Sequence, residues 1–375
     1  MSLVKANTYQ DASGGSNAVF SGVASPPNSM GNRNRIINGN MVIDQRNAGA
    51  ATANTISGYT LDRWAVSQST TGKLIAQQNA GSVTPPAGFT NYLGVTSQSA
   101  YSVAAGDYYM IYQMIEGYNV SDFGLGAAGA ATFTISFWVR SSLTGTFGGS
   151  LQNNANNRSY PFTYTISAAN TWEQKTVTVV GDTTGTWEKT TNTGLRLNFG
   201  LGVGSTYSGT AGSWAGSNFI SATGATSVVG TNGATFYITG VQLEAGSVAS
   251  PFERRDYGRE LMMCQRYCYQ VTSVGGTDGF VRYAVGECVN TAVLDCVIPF
   301  PVQMRVTPSL TTPAASQFAA TASPIAGTSI ALLAGSGVNT GGVRLTVASG
   351  LTTGRAAQLM SNNNNTSYLL FPAEL

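Results

Sequence analysis

The sequence predicts an all-β protein: a β-sandwich, then one short helix, then a small C-terminal β domain. Three observations carry this. Glycine is high at 45 of 375 residues, while charged residues make up only 10%. Short runs of alternating apolar and polar residues recur, separated by turn residues. Only one stretch, near residue 260, changes to helical spacing. An aromatic content of 10% argues against a low-complexity chain, since disordered chains are poor in aromatics.

Taken in order, residues 1–34 hold no lasting period and include Ala24-Ser25-Pro26-Pro27-Asn28. They read as an extended arm, either an anchor that orders against a partner or an unattached terminus. Residues 35–250 form the sandwich. Ile36 and Ile37 lead into an Asn38-Gly39 turn, and Met41 and Ile43 then point one way. Strands are expected at 73–78, 91–97, 108–115, 132–140, 162–167, 172–180, 195–201 and 235–243. Phe133, Ile135, Phe137 and Val139 alternate with polar residues and define one core face. Trp138 on the opposite face implies a cover there too. Trp172, Val177 and Val179 read as another inner face. The stretches 146–157 and 201–233 read as long loops, which are uncommon without a role. The second holds Tyr207, Trp214 and Phe219 among small residues. These three are the candidate ligand-binding residues, because aromatics on polar loops offer a flat apolar face. The competing reading is local loop packing.

Residues 234–267 are the most informative: ATFYITGVQLEAGSVASPFERRDYGRELMMCQRY. Phe236, Ile238, Val241 and Leu243 alternate as in a strand, with a slip at Gly240 that marks a bulge. Leu261, Met262, Gln265 and Tyr269 fit one face of a helix from Asp256 to Gln270, with Asp256 as N-cap. Residues 251–270 therefore read as a linker helix and 271–375 as the C-terminal domain. There, 280–290 and 292–299 read as paired strands, followed by shorter ones at 328–333, 342–347 and 367–371. A domain of about 100 residues buries only a marginal core alone.

The chemistry is sparse. A net charge of +2 gives no broad pull on nucleic acid or membrane. No apolar run approaches the roughly 20 residues of a membrane span. The N-terminus lacks the apolar segment of a secretory signal, so synthesis in a cytoplasm is expected. The chain has no histidine, which removes Ser-His-Asp and Cys-His mechanisms. Cys264 and Cys268 could form a metal or redox pair. Zinc sites normally use closer pairs or add histidine, so small buried thiols, with Cys288 and Cys296, are the better reading. Glycan cleavage needs two carboxylates about 5–9 Å apart, and no acidic residue sits in a paired motif. The chain is therefore expected not to be an enzyme. Gly-Leu-Gly-Ala-Ala-Gly at 124–129 precedes a strand instead of a helix, and reads as a turn.

Three blocks carry a family resemblance. They are RIINGNMVIDQRNAG followed by GYTLDRW within Asn34–Trp64, TFTISFWVRSS at Thr132–Ser142, and VQLE-x-G, SPFE-R, Tyr-Gly-x-Glu-Leu and CQRY within 241–267. In order and spacing they resemble tailed-phage virion structural proteins of the tail-fibre type. The resemblance implies a carbohydrate-binding-module-like jelly roll closed at this junction and followed by a distal β domain. It implies a homotrimer located in the virion, attached to other virion proteins through its arm and binding host surface glycan. Capsid decoration or head-fibre proteins use the same folds, and a polysaccharide depolymerase is a third reading. The resemblance places Trp64 in the core, with Asp62-Arg63 holding a loop; a sugar platform is the alternative. No cofactor is expected. Related jelly rolls often hold calcium, but no Asp-x-Asp-x-Asp loop is present and no ligands are assigned.

Overall fold

The computed structural model describes residues 33–53, 57–274, 276–320 and 324–375. The predicted arm, apart from Arg33 and Asn34, lies outside the described residues. Among those described, fourteen strands come before the helix. They are β1 (Thr52–Ala53), β2 (Ser57–Leu61), β3 (Trp64–Gln68), β4 (Leu74–Gln78), β5 (Leu93–Ser97), β6 (Tyr108–Glu116) and β7 (Phe133–Ser141), then β8 (Gly145–Gln152), β9 (Ser159–Ile166), β10 (Glu173–Val179), β11 (Thr193–Val203), β12 (Ser208–Gly209), β13 (Ser221–Ala222) and β14 (Thr235–Ala245). Two six-stranded sheets run β1-β4-β5-β14-β7-β10 and β2-β3-β6-β11-β8-β9. Their neighbours pair antiparallel, as in a jelly-roll sandwich.

Alternation explains the core. Phe133, Ile135, Phe137 and Val139 are fully buried between the sheets with Trp64, Phe147, Phe199 and Phe236. Each such side chain contributes about 1.5–3 kcal/mol on burial. The other face of β7 is covered as well, since Thr134 and Ser136 are buried and Trp138 is half-buried. Thr134 Oγ1 donates to Gly246 O at 2.7 Å. Gly240 has φ +61, and the β14–β7 register shifts between Thr239 and Gln242. This bulge brings Val241 and Leu243 back into phase with Phe236 and Ile238, and all four are at 0% exposure.

The strands expected between 73 and 243 are present, with ends moved by a few residues. Three expectations are corrected. The stretch 146–157 is mostly strand β8, not loop. Its glycines serve close approach: a Cβ on Gly149 would stand 2.3 Å from Asn198 O and 2.5 Å from the Phe162 ring. Trp172 does not share the inner face of Val177 and Val179. It packs outside the sandwich at 5.5 Å from Tyr92, with its Nε1 donating to Thr84 O. The helix α1 covers only Tyr257–Gln265, and Met262 is exposed. Asp256 caps it as expected, accepting from Arg259 N at 2.9 Å. Five residues assigned to helix or just beyond it instead form β15 (Cys268–Thr272). Packing overrides helical spacing here, because Tyr269 joins a ring cluster with Phe300 and Phe371.

The C-terminal body adds β16 (Arg282–Asn290), β17 (Val293–Pro299), β18 (Phe318–Ala320), β19 (Ile325–Leu332), β20 (Thr340–Val347), β21 (Ala356–Ser361) and β22 (Tyr368–Pro372). Strands β16 to β21 close a barrel in the order β16-β17-β20-β19-β18-β21, while β15 pairs β22. Closure leaves these strands no free edge. Cys288 and Cys296 sit in the barrel core, and all four cysteines are buried free thiols.

Two of the three blocks that carry the family resemblance, those within 34–64 and 241–267, meet at the junction of the two bodies. Asn38 sits at φ +57. Its side chain donates to Ile43 O and Asp62 O and accepts from Ile43 N. Its N–H donates to Glu260, and its carbonyl accepts from Trp64 Nε1. Arg255 donates to Ile36 O and Asn34 O. Arg63 pairs with Glu374, and its guanidinium lies 3.7 Å over the Tyr267 ring. Glu116, at the end of β6, accepts from Arg266 at 2.6 and 2.9 Å and from Tyr267 OH. Trp64 is thus core, at 0% exposure.

Candidate functional site

The second sheet turns an unusual face outward. On β6 the odd residues Tyr109 and Ile111 enter the core, while Tyr108, Met110, Tyr112 and Met114 point away from it. On β11, Leu195, Leu197 and Phe199 are core, and Arg196 and Asn198 belong to the outer face. The 201–233 connection folds back over this face. Ile220 N donates to Tyr207 O at 2.7 Å, and Tyr207 stands perpendicular to Tyr108 at 5.6 Å. The result is a cleft of about 280 Å³ lined by Ser67, Tyr108, Met110, Tyr112, Met114, Asn156, Arg196, Tyr207, Asn218 and Ile220. That volume is at the small end for ligand sites.

A polar layer underlies the aromatic one. Asn198 Nδ2 donates to Ser150 Oγ at 3.0 Å and Gln152 Oε1 at 2.8 Å. Gln152 Nε2 in turn donates to Asn218 Oδ1 at 2.6 Å. Arg196 Nη1 donates to Asn156 Oδ1 at 3.2 Å, and its guanidinium lies 5.6 Å from the Tyr112 ring centre. Burial lowers the Arg196 pKa from its ordinary value, and burial raises that of neighbouring Tyr59. Aromatic faces, amides and a guanidinium suit a ring that carries many hydroxyls: the faces take its C–H surface and the polar groups its oxygens.

Of the three residues picked from the sequence, the structure brings only Tyr207 into this cleft. Trp214 packs between Tyr160 and Trp187, each at 5.3 Å, and its Nε1 donates to Val180 O. Phe219 is half-buried with its ring against Gly209. The residues missed are Tyr108, Tyr112, Asn156, Arg196 and Asn218. One signal was available: residues 108–115 read YYMIYQMI, with large side chains on both faces, so the outward face needed a purpose.

Several carboxylates are occupied elsewhere. Asp182 holds Arg158 through both oxygens, at 2.7 Å each. Glu244 binds Ser250 and Gln242, and Asp107 caps Ala104 N while accepting from Ser69 and Tyr101. No Asp or Glu is among the residues that line the cleft. Among the described residues no group of three or more Cys, Asp or Glu is gathered closely enough to hold a metal ion. Among the described residues no helix is long and apolar enough to cross a membrane.

No protein-family model matches the chain, and no curated protein matches it. Several solved structures resemble parts of it. The enzymatically active domain of bacteriophage CBA120 tailspike protein 4 matches at 13% identity and a TM-score of 0.31, over 57% of this chain and 22% of the tailspike chain. The family 11 carbohydrate-binding module of a Clostridium thermocellum cellulosomal cellulase matches at 12% identity and a TM-score of 0.26, over 53% of this chain and 96% of the module. A family 61 module in complex with β-1,4-galactotriose matches at 10% identity and a TM-score of 0.26, over 49% of this chain and 88% of that one.

Proposed function

We propose that this chain is a virion structural protein of a tailed phage, a tail-fibre subunit that attaches to the host through cell-surface glycan. The observation that carries the glycan half is the cleft on the second sheet, where Tyr108, Tyr112 and Tyr207 share the lining with Arg196, Asn156 and Asn218. The three sequence blocks that resemble phage structural proteins support the virion half. The role is adhesive, with no chemistry asked of the cleft, whose lining offers no acid for glycan cleavage.

Binding of the purified chain to host surface polysaccharide tests this reading. Tyr108→Ala and Tyr207→Ala should each weaken binding about tenfold, the loss typical of an aromatic contact residue. Trp214→Ala should leave affinity unchanged. Saturable binding that ignores both tyrosines would remove the cleft from the mechanism. Antibody labelling of intact particles should decorate the tail; labelling of the head would make the chain a capsid fibre.

A further inference from the structure

We propose that the glycan taken by this cleft is acidic, and that Arg196 meets the carboxylate of a uronic-acid-type residue. This rests on reading the cleft as the glycan site. Arg196 is the only charged residue in the cleft lining. Four other inward guanidiniums are answered by acids, Arg63 by Glu374, Arg158 by Asp182, Arg255 by Glu260 and Arg266 by Glu116, while Arg305 is met by the carbonyls of Thr191, Ala373 and Glu374. Arg196 instead meets the neutral amide of Asn156 and the face of Tyr112. Among the described residues no carboxylate lies within ion-pair distance of it.

A half-buried guanidinium without a counter-charge is costly, and Met110, Met114 and Tyr112 around it deepen the cost by excluding water. Burial already works against its charged form. Such a group gains most from a ligand that brings the missing charge. A planar fork of donors matches a carboxylate better than it matches a hydroxyl. Neutral hydroxyls would use the tyrosines and amides and leave this charge unanswered.

The test uses the full chain on a panel of bacterial surface polysaccharides, each before and after carboxyl reduction, together with polygalacturonate, its methyl ester and a sulfated galactan. The acidic form of the bound polymer should bind at least about tenfold more tightly than its reduced or esterified partner. Arg196→Ala should abolish that preference without lowering the unfolding midpoint, and Arg196→Lys should restore part of it. Equal affinity for acidic and reduced polymers, sensitive to Tyr207→Ala but not to Arg196→Ala, would overturn the inference and leave the cleft standing. A stronger, Arg196-dependent response to the sulfated galactan would replace the carboxylate by a sulfate and overturn it too. No binding anywhere on the panel would sink the cleft reading together with this one.

Discussion

Asp62 is fully buried at the junction, with one oxygen accepting from Gln45 Nε2 at 2.6 Å and the other without a partner. Burial pushes its pKa up from 3.8 to about 6, against smaller downward pulls from Arg46 and Gln45. An acid whose folded pKa lies above its unfolded one binds more protons when folded. Its contribution to stability is therefore complete below the unfolded value and is lost as pH rises through the folded one. The window runs from 3.8 to about 6. Asp62→Asn keeps an acceptor for Gln45 and cannot ionise. The variant should gain on the wild type by up to about 3 kcal/mol between pH 4 and pH 7. Urea midpoints at the two pH values check this, and a gap that does not change with pH would mean that Asp62 stays ionised when folded. At the same scale, the family resemblance implied a core Trp64 and a structural Asp62-Arg63, and all three side chains are buried. The sequence did not expose Arg196 or Asn156 as neighbours. They lie forty residues apart, and only the β11–β8 register and the turn after β8 bring them together.

At the scale of elements, period and punctuation were readable, whereas glycine was ambiguous. Most strands alternate visibly, and the slip at Gly240 marks a real bulge. The glycines of β8 carry no such signal, because close approach to Phe162 and turn formation ask for the same residue. The end of α1 was hidden for another reason. Residues 266–270 keep helical spacing, but Cys268–Thr272 pairs with Tyr368–Pro372, a hundred residues further on. Gly240 allows the bulge to be weighed. At φ +61, a Cβ there would lie 2.7 Å from the Phe89 ring and 3.0 Å from Trp138. Gly233 has φ +73 with nothing within 4 Å, and so isolates backbone strain. Gly233→Ala should cost about 1 kcal/mol, and Gly240→Ala about 2–4 kcal/mol, since strain and overpacking add. Equal costs in urea denaturation would mean that the aromatic cover yields and does not hold the bulge in place.

At the scale of the whole molecule, sandwich and barrel have separate apolar cores. What joins them is a small cluster around Ile37, Ile43, Cys264 and Tyr267, and the polar contacts described above. Glu116 is the hub on the sandwich side, at 2% exposure, and its two partners both follow α1. Removing it strands Arg266 and Tyr267 OH against the sandwich, a loss of about 3 kcal/mol of the kind that follows when one member of a buried pair goes. The barrel side has a core too small for much stability of its own, so its melting should be held up by this docking. Calorimetry of the wild type should then give a single transition. In Glu116→Ala the barrel should melt first and separately, with the sandwich transition close to its original midpoint. One transition that only moves to lower temperature would show that the apolar cluster suffices to couple the bodies. Two transitions already present in the wild type would show that they were never coupled. The outcome bears on the proposed adhesive role, because under that reading a cleft on one body transmits load to the other only through a junction that stays closed.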